Sequence, residues 1–370
     1  MSSSAAKEME AEPESYSAVT LDRDQLVQLL READSTPDLA LLKARVGEIK
    51  KTVASSKPDG KLIGPNGSVI HVRRDVLVSE LDQILEARTI ERASYYVARL
   101  ERGVTNVKTS KLNDINLHRW KEYPEIITDS LWVLPKRDTA GAHLGWYWGN
   151  FIPQIPHQLM RRYTKKGDWV LDPFVGSGTT LIECRNLGRN GIGVELNSEV
   201  ADRAFKLIAE QSNRHSVETR VVTGDSRALD LAPTLAELGA RQVQLLIMHP
   251  PYHDIIRFSD DGGDLSKAST TEEFLTMFGE VVDRTTPHLE KGRYFALVIG
   301  DKYEKGEWVP LGFYCMNEVL KRDYSLKSIV VKNFDETRAK RDQKQLWRYR
   351  ALVGGFYIFK HEYIFLFRKR

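Results

Sequence analysis

Apolar positions along the first third of the chain recur at helical spacing. Leu26, Leu29 and Leu30 fall on one face, and Leu39, Leu41, Leu42, Val46 and Ile49 fall on another after the Ser35-Thr36-Pro37-Asp38 break, so residues 21–51 are predicted to be helical. Pro58, Gly60, Gly64, Pro65 and Gly67 mark 55–68 as a loop, and Leu77, Leu81, Ile84 and Leu85 predict a further helix over 74–101. Residues 19–110 are therefore expected to form a small, mostly helical module behind a flexible polar lead, 1–18. From about Trp169 the pattern changes to short β-branched runs separated by amphipathic segments: 169–171, 192–195, 220–223, 243–248, 294–299 and 327–331, closed by 356–359 and 363–367. Strands alternating with helix-length spacers predict an α/β domain, doubly wound around a mostly parallel sheet. The close spacing of the last two runs predicts a C-terminal antiparallel hairpin at one edge.

The 370 residues are too many for one small domain, and 41% hydrophobic with 28% charged residues excludes a wholly disordered or fibrous chain. No apolar run approaches the ~18 residues of a membrane span. The first fifteen residues hold four Glu and one Lys, the wrong composition for a secretory or transit peptide, so cytoplasmic residence is expected. Cys184 and Cys315 form no C-x-x-C pair and read as buried apolar residues. No metal is expected: the one H-x-x-x-H spacing, His249 to His253, contains Pro250 and Pro251, which keep it out of a helix.

Two local patterns carry chemistry. Asp172-Pro173-Phe174-Val175-Gly176-Ser177-Gly178-Thr179-Thr180 lies between a predicted strand and a helix, where glycines admit a ligand close to the backbone and the helix start offers unpaired N–H groups. It is neither a dinucleotide fingerprint, since Leu181 stands where a third glycine is needed, nor a P-loop, since no Lys follows. Glu195, about 20 residues on at the next strand end, could accept from both hydroxyls of a ribose. Asp225, beside Ser226 at the third strand end, could accept from an adenine amine. Together these describe a pocket for an adenosine without phosphate. The second pattern, His249-Pro250-Pro251-Tyr252, leaves the fourth strand rigidly, because two prolines cannot donate to a sheet.

With Asp172 to Thr180, Glu195 and an X-P-P-Y tetrad after the fourth strand, the chain resembles the amino-methyltransferases that use S-adenosylmethionine to methylate adenine N6 or cytosine N4 in DNA. Asn150-Phe151-Ile152-Pro153-Gln154-Ile155-Pro156 is similar to that family's extra cofactor motif. The resemblance implies a methyltransferase domain over 145–370, a connector at 111–144, S-adenosylmethionine as cofactor and DNA as partner. It assigns Phe151, Ile152, Pro153, Asp172, Phe174, Gly176, Ser177, Gly178, Thr179, Glu195, Asp225 and Ser226 to the cofactor. It also makes His249 and the Pro250 carbonyl acceptors for the target amine, beside Pro251, with Tyr252 stacking on a base taken out of the duplex. Here the tetrad begins with His rather than the usual Asp, Asn or Ser, so the acceptor exists only while the imidazole is unprotonated, with an ordinary pKa near ~6.5.

The chain has no long insertion after the tetrad for target recognition, which leaves the N-terminal module, residues 254–271 and a basic stretch as candidates. That stretch, 332–350, holds Lys332, Arg338, Lys340, Arg341, Lys344, Arg348 and Arg350 against three acids, with Trp347 among them, while the net charge of the whole chain is only +3. Cations with a ring face suit DNA phosphates and bases. The same residues leave open an RNA methyltransferase on this fold, or a catalytically silent nucleic-acid-binding subunit.

Overall fold

The computed structural model describes residues 18–55, 68–134, 136–334 and 344–370, the Lys344 side chain excepted. The chain divides into two compact units, one reaching Ser110 and taking in Ile115–Glu125, the other holding Lys111–Asp114 and Ile126–Arg370.

In the first unit, strands β1 (Ala18–Asp22) and β2 (Val69–Arg73) pair antiparallel, and each is followed by two helices: α1 (Arg23–Asp34) and α2 (Leu39–Ser55) after β1, α3 (Arg74–Leu85) and α4 (Ile90–Thr105) after β2. The lead expected over 1–18 lies outside the described residues, except Ala18, which opens β1. The single helix expected over 74–101 is two, because Thr89 restarts it, its side chain accepting from the Arg92 N–H. Leu30, Leu42, Val46, Leu81 and Val97 are among the residues of this unit's own core.

The second unit is built on an eight-stranded sheet. In chain order its elements are β3 (Leu131–Trp132), α5 (Gln154–Tyr163), β4 (Trp169–Asp172), α6 (Thr179–Leu187), β5 (Asn190–Glu195), α7 (Ser198–Glu210), β6 (Thr219–Thr223), α8 (Ala232–Glu237) and β7 (Val243–Met248). They continue as α9 (Thr271–Thr285), β8 (Leu289–Ile299), a small hairpin β9 (Lys302–Glu304) and β10 (Glu307–Val309), α10 (Leu311–Leu320), β11 (Tyr324–Asn333), α11 (Lys344–Gly354) and β12 (His361–Lys369). The spatial order is β3-β11-β12-β8-β7-β4-β5-β6. The run from β8 to β6 is parallel, and β12 is antiparallel to both β8 and β11. Successive residues alternate between two cores: in β8, Phe295, Leu297 and Ile299 enter one, while Ala296 and Val298 enter the other. A sheet buried on both faces is what the doubly wound reading requires.

The expected terminal hairpin needs correction. Residues 356–359 form no strand, because their rings pack elsewhere: Phe356 stacks on Tyr303 at 4.4 Å and Phe359 meets Trp308 at 4.2 Å. The antiparallel partner of β12 is instead β11, and β12 lies inside the sheet rather than at its edge. Residues 126–144, expected as connector, already belong to the second unit, where Leu131 pairs with Val331.

Candidate active site

The strand order reverses between β4 and β7, which are paired directly, Val170 with Leu245. The loops leaving two such neighbours diverge and open a crevice at the carboxyl ends, the usual ligand position in an open α/β sheet. Here the diverging loops are the glycine loop and the His-Pro-Pro-Tyr tetrad, and the cleft between them has a volume of about 1000 Å³.

The glycine loop is held from below. Asp172 is buried, and its carboxylate accepts from the Phe174 N–H at 2.9 Å and the Thr180 hydroxyl at 2.5 Å. Burial outweighs these bonds and pushes its pKa up to about 6. Gly176 has φ +50°, and a Cβ there would lie 3.1 Å from the Tyr147 ring, so the loop can run this close only as glycine. Its N–H donates to Glu195 Oε2 at 3.1 Å, and the Asn197 N–H donates to Oε1 at 3.0 Å. A carboxylate offers about four lone-pair positions, so two remain for a ligand. Burial raises the pKa of Glu195.

Asn150 joins the segment before the loop to the loop itself: its Nδ2 donates to Ser177 Oγ at 2.5 Å, and Thr179 Oγ1 donates to its Oδ1 at 2.8 Å. Phe151, Ile152, Phe174, Gly176, Ser177 and Glu195 line the cleft, as do Asp225 and Ser226. Pro153, Asp172, Gly178 and Thr179 do not: Pro153 caps α5, Gly178 caps α6, and Asp172 and Thr179 brace the loop from behind. Asp225 also meets a cation of its own chain. Its carboxylate is held by the Arg227 guanidinium, 2.9 Å from Nη2.

On the other wall, His249, Pro250, Pro251 and Tyr252 all line the cleft. His249 Nε2 lies 3.2 Å from the Tyr252 hydroxyl, which donates to Glu362 Oε2 at 2.8 Å, and Glu362 Oε1 lies 3.1 Å from Lys332 Nζ. Burial lowers the pKa of His249 to about 4, against the pull of the Glu362 charge, so the ring is neutral at ordinary pH. Both ring nitrogens of His253 have partners. It is buried with φ +54°, its Nε2 donating to the Ala268 carbonyl at 2.8 Å and its Nδ1 accepting from Lys302 Nζ at 2.6 Å, which anchors the loop after the tetrad. Among the described residues no cluster of His, Cys, Asp and Glu suits a metal, and no helix is long and apolar enough to cross a membrane.

The basic stretch divides. Lys332, expected on DNA, is instead 5% exposed and paired with Glu362. Arg338, Lys340, Arg341 and the Lys344 side chain lie outside the described residues. Trp347, Arg348 and Arg350 ride on α11, where both arginines are exposed and the Arg350 guanidinium sits 5.2 Å from the Trp347 ring centroid.

Sequence reasoning missed Glu362, Tyr147 and Asp264. Glu362 was hidden in what reads as a turn, Lys360-His361-Glu362, yet it stands directly across the strand pair from Lys332, a cation and an acid at one register position. Tyr147 falls in an aromatic run, Trp146-Tyr147-Trp148, immediately before Asn150. In the cleft its hydroxyl pKa is pushed up by burial and by Glu195 and Asp264.

Known proteins are similar in sequence to part of the chain. The family model described as DNA methylase, covering N6 and N4 enzymes, matches residues 99–206, which include Asn150, the glycine loop and Glu195. The chain is 45% identical over 51 residues to the Type II methyltransferase M.MjaII of Methanocaldococcus jannaschii, covering 14% of this chain and 10% of that protein. It is 38% identical over 85 residues to M.XycI of Xanthomonas campestris pv. cyanopsidis, and 36% identical over 85 residues to M.Cfr9I of Citrobacter freundii, in each case covering 23% of this chain and 27% of the relative. The matches thus span about a quarter of these relatives' length or less. Over residues 99–206, the segment that carries Asn150, the glycine loop and Glu195, the chain is thus similar to the DNA methylases.

Proposed function

We propose that the cleft binds S-adenosylmethionine and that the protein transfers its methyl group to the exocyclic amine of a DNA base, cytosine N4 or adenine N6. The observation that carries this reading is the pairing of β4 with β7, which sets the glycine loop and Glu195 on one wall of a single cleft and His249 to Tyr252 on the other.

The residues present fit the cofactor. Gly176 leaves room where a Cβ would crowd Tyr147, and Glu195 keeps two acceptor positions for the hydroxyls of a ribose. Phe151, Ile152 and Phe174 supply apolar lining for the remainder, while Ser226, whose hydroxyl donates to the Pro173 carbonyl at 2.6 Å, fixes the loop's first turn. When bound, S-adenosylmethionine supplies an electrophilic methyl group that needs no metal.

The acceptor wall would act on the amine. An aromatic amine is a poor nucleophile because its lone pair is delocalised into the ring, and hydrogen bonds accepted from its N–H groups localise that pair. The neutral His249 ring and the Pro250 carbonyl are acceptors of that kind, held rigidly by the two prolines. Most of the rate enhancement would come from positioning. DNA contacts are assigned to α11 through Arg348, Arg350 and Trp347, together with Arg338, Lys340 and Arg341.

The test is incubation of the purified chain with methyl-labelled S-adenosylmethionine and either duplex DNA or transcripts. Label is expected in the DNA. Label in transcripts alone would make the protein an RNA enzyme, and no transfer to either would return it to a silent binding subunit.

A further inference from the structure

A neutral imidazole is an acceptor at only one nitrogen, and which one is decided by what the other nitrogen donates to. At His249 the surroundings decide it. The Tyr252 hydroxyl has a single proton, and the Glu362 carboxylate, which can only accept, takes it at 2.8 Å. The hydroxyl oxygen then faces His249 Nε2 at 3.2 Å with only lone pairs, so Nε2 must carry the hydrogen. Glu362 is fixed in its turn: its other oxygen, Oε1, lies 3.1 Å from Lys332 Nζ, the residue opposite it in the β11–β12 ladder. Among the described residues His249 Nδ1 has no hydrogen-bond partner, and the ring lines the cleft.

We propose that Glu362 is a positioning residue: through Tyr252 it locks His249 in the Nε2–H tautomer, so that Nδ1 is the ring's only acceptor and is kept for the substrate amine. This deepens the methyl-transfer reading and rests on it for its catalytic consequence, though not for the tautomer itself. It also gives Lys332 a role inside the fold, since it chooses which carboxylate oxygen is left for Tyr252. The arrangement explains how a histidine can stand where the related enzymes carry a residue with an acceptor oxygen. A tetrad histidine without such a relay would be free to present an N–H to the amine, which repels the proton it should receive.

Glu362→Gln tests this without changing shape. Lys332 can only donate, so the glutamine must turn its oxygen to Lys332 and its NH2 to Tyr252. The hydroxyl then gives its proton to His249 Nε2, and the ring moves to the Nδ1–H tautomer. The readout is nitrogen NMR of the protein labelled at its histidines, with the His249 signal identified by its loss in His249→Asn. Wild type is expected to show unprotonated Nδ1, and Glu362→Gln protonated Nδ1. Lys332→Gln keeps the carboxylate and is expected to keep the wild-type tautomer. Single-turnover methyl transfer by Glu362→Gln should fall on the order of a hundredfold or more, the scale of losing one proton-handling group, with S-adenosylmethionine affinity unchanged. A wild-type ring already protonated at Nδ1, an unmoved tautomer in Glu362→Gln, or inversion in Lys332→Gln would each overturn the relay. Tautomers that behave as expected in a protein that methylates nothing would uphold the relay and overturn the activity reading instead.

Discussion

The rings of Phe151 and His249 meet edge to face, their centroids 4.9 Å apart and their planes inclined at 71°. Phe151 follows Asn150, the residue that holds Ser177 and Thr179, so one short segment braces the glycine loop and walls the acceptor ring. The two ends of the proposed reaction are therefore joined by adjacent residues, and the phenyl ring helps exclude water from the imidazole.

That exclusion sets a pH dependence. With its pKa lowered to about 4 by burial, His249 keeps its acceptor through the neutral range, and single-turnover transfer should stay level from pH 8 to about 5 and fall as the pH drops through about 4. The ring's contribution to stability has the same sign: only the unfolded histidine takes up a proton between about 6.5 and about 4, so that contribution is lost as pH falls through this window. Phe151→Ala should admit water and move the rate decline upward, toward 6.5. A wild-type decline centred near ~6.5, the ordinary histidine value, would show that the ring is not shielded.

Glu195→Ala should weaken S-adenosylmethionine binding by about 1.5–3 kcal/mol, the range for hydrogen bonds to a charged acceptor, measured by calorimetry. Glu195→Gln should fall between, since one oxygen still accepts while its NH2 confronts the N–H of Gly176 or Asn197. Affinity unchanged in Glu195→Ala would remove the ribose assignment.

Asp172 is held near a pKa of about 6 by burial, above its ordinary 3.8, so the folded protein binds a proton there that the unfolded chain has released. Its contribution is fully present below pH 3.8 and is lost as the pH rises through about 6, a change of about 3 kcal/mol across the window. Asp172→Asn, which stays neutral, should lack that component when urea unfolding is followed from pH 4 to pH 7. Parallel curves for the two proteins would contradict the buried carboxyl.

For DNA engagement, Arg348→Ala with Arg350→Ala should flatten the salt dependence of binding, since each phosphate contact contributes about 0.9 to the logarithmic slope. Trp347→Ala should weaken binding with the slope kept, because stacking releases no counterion. An unchanged slope in the double variant would return α11 to an ordinary solvated helix.

The parallel strands could be read from sequence because each is a short apolar run ended by a loop residue of special chemistry, as Val243–Met248 is by His249-Pro250. The β1–β2 pair could not, because five-residue strands flush against helices carry too little alternation to separate them from the helical pattern around Leu21. The 356–359 run has strand composition, but its rings are used against Tyr303 and Trp308, a tertiary choice that local pattern does not encode. Along the cleft, the glycine loop and the tetrad were legible because their backbone demands dictate residue type, and Glu195 because it ends the next strand. Lys332 misled because its charge is visible in sequence while its partner, Glu362, lies across a strand pairing that the assumed hairpin had placed wrongly.

The most direct measurement is nucleoside mass spectrometry of genomic DNA from a host free of base methylation that expresses either the wild type or His249→Ala. N4-methylcytosine or N6-methyladenine is expected with the wild type and is expected to be nearly absent with His249→Ala, although that variant still binds S-adenosylmethionine. Neither modified base in the wild-type DNA would contradict the methyl-transfer account, and wild-type levels from His249→Ala would contradict the imidazole as acceptor.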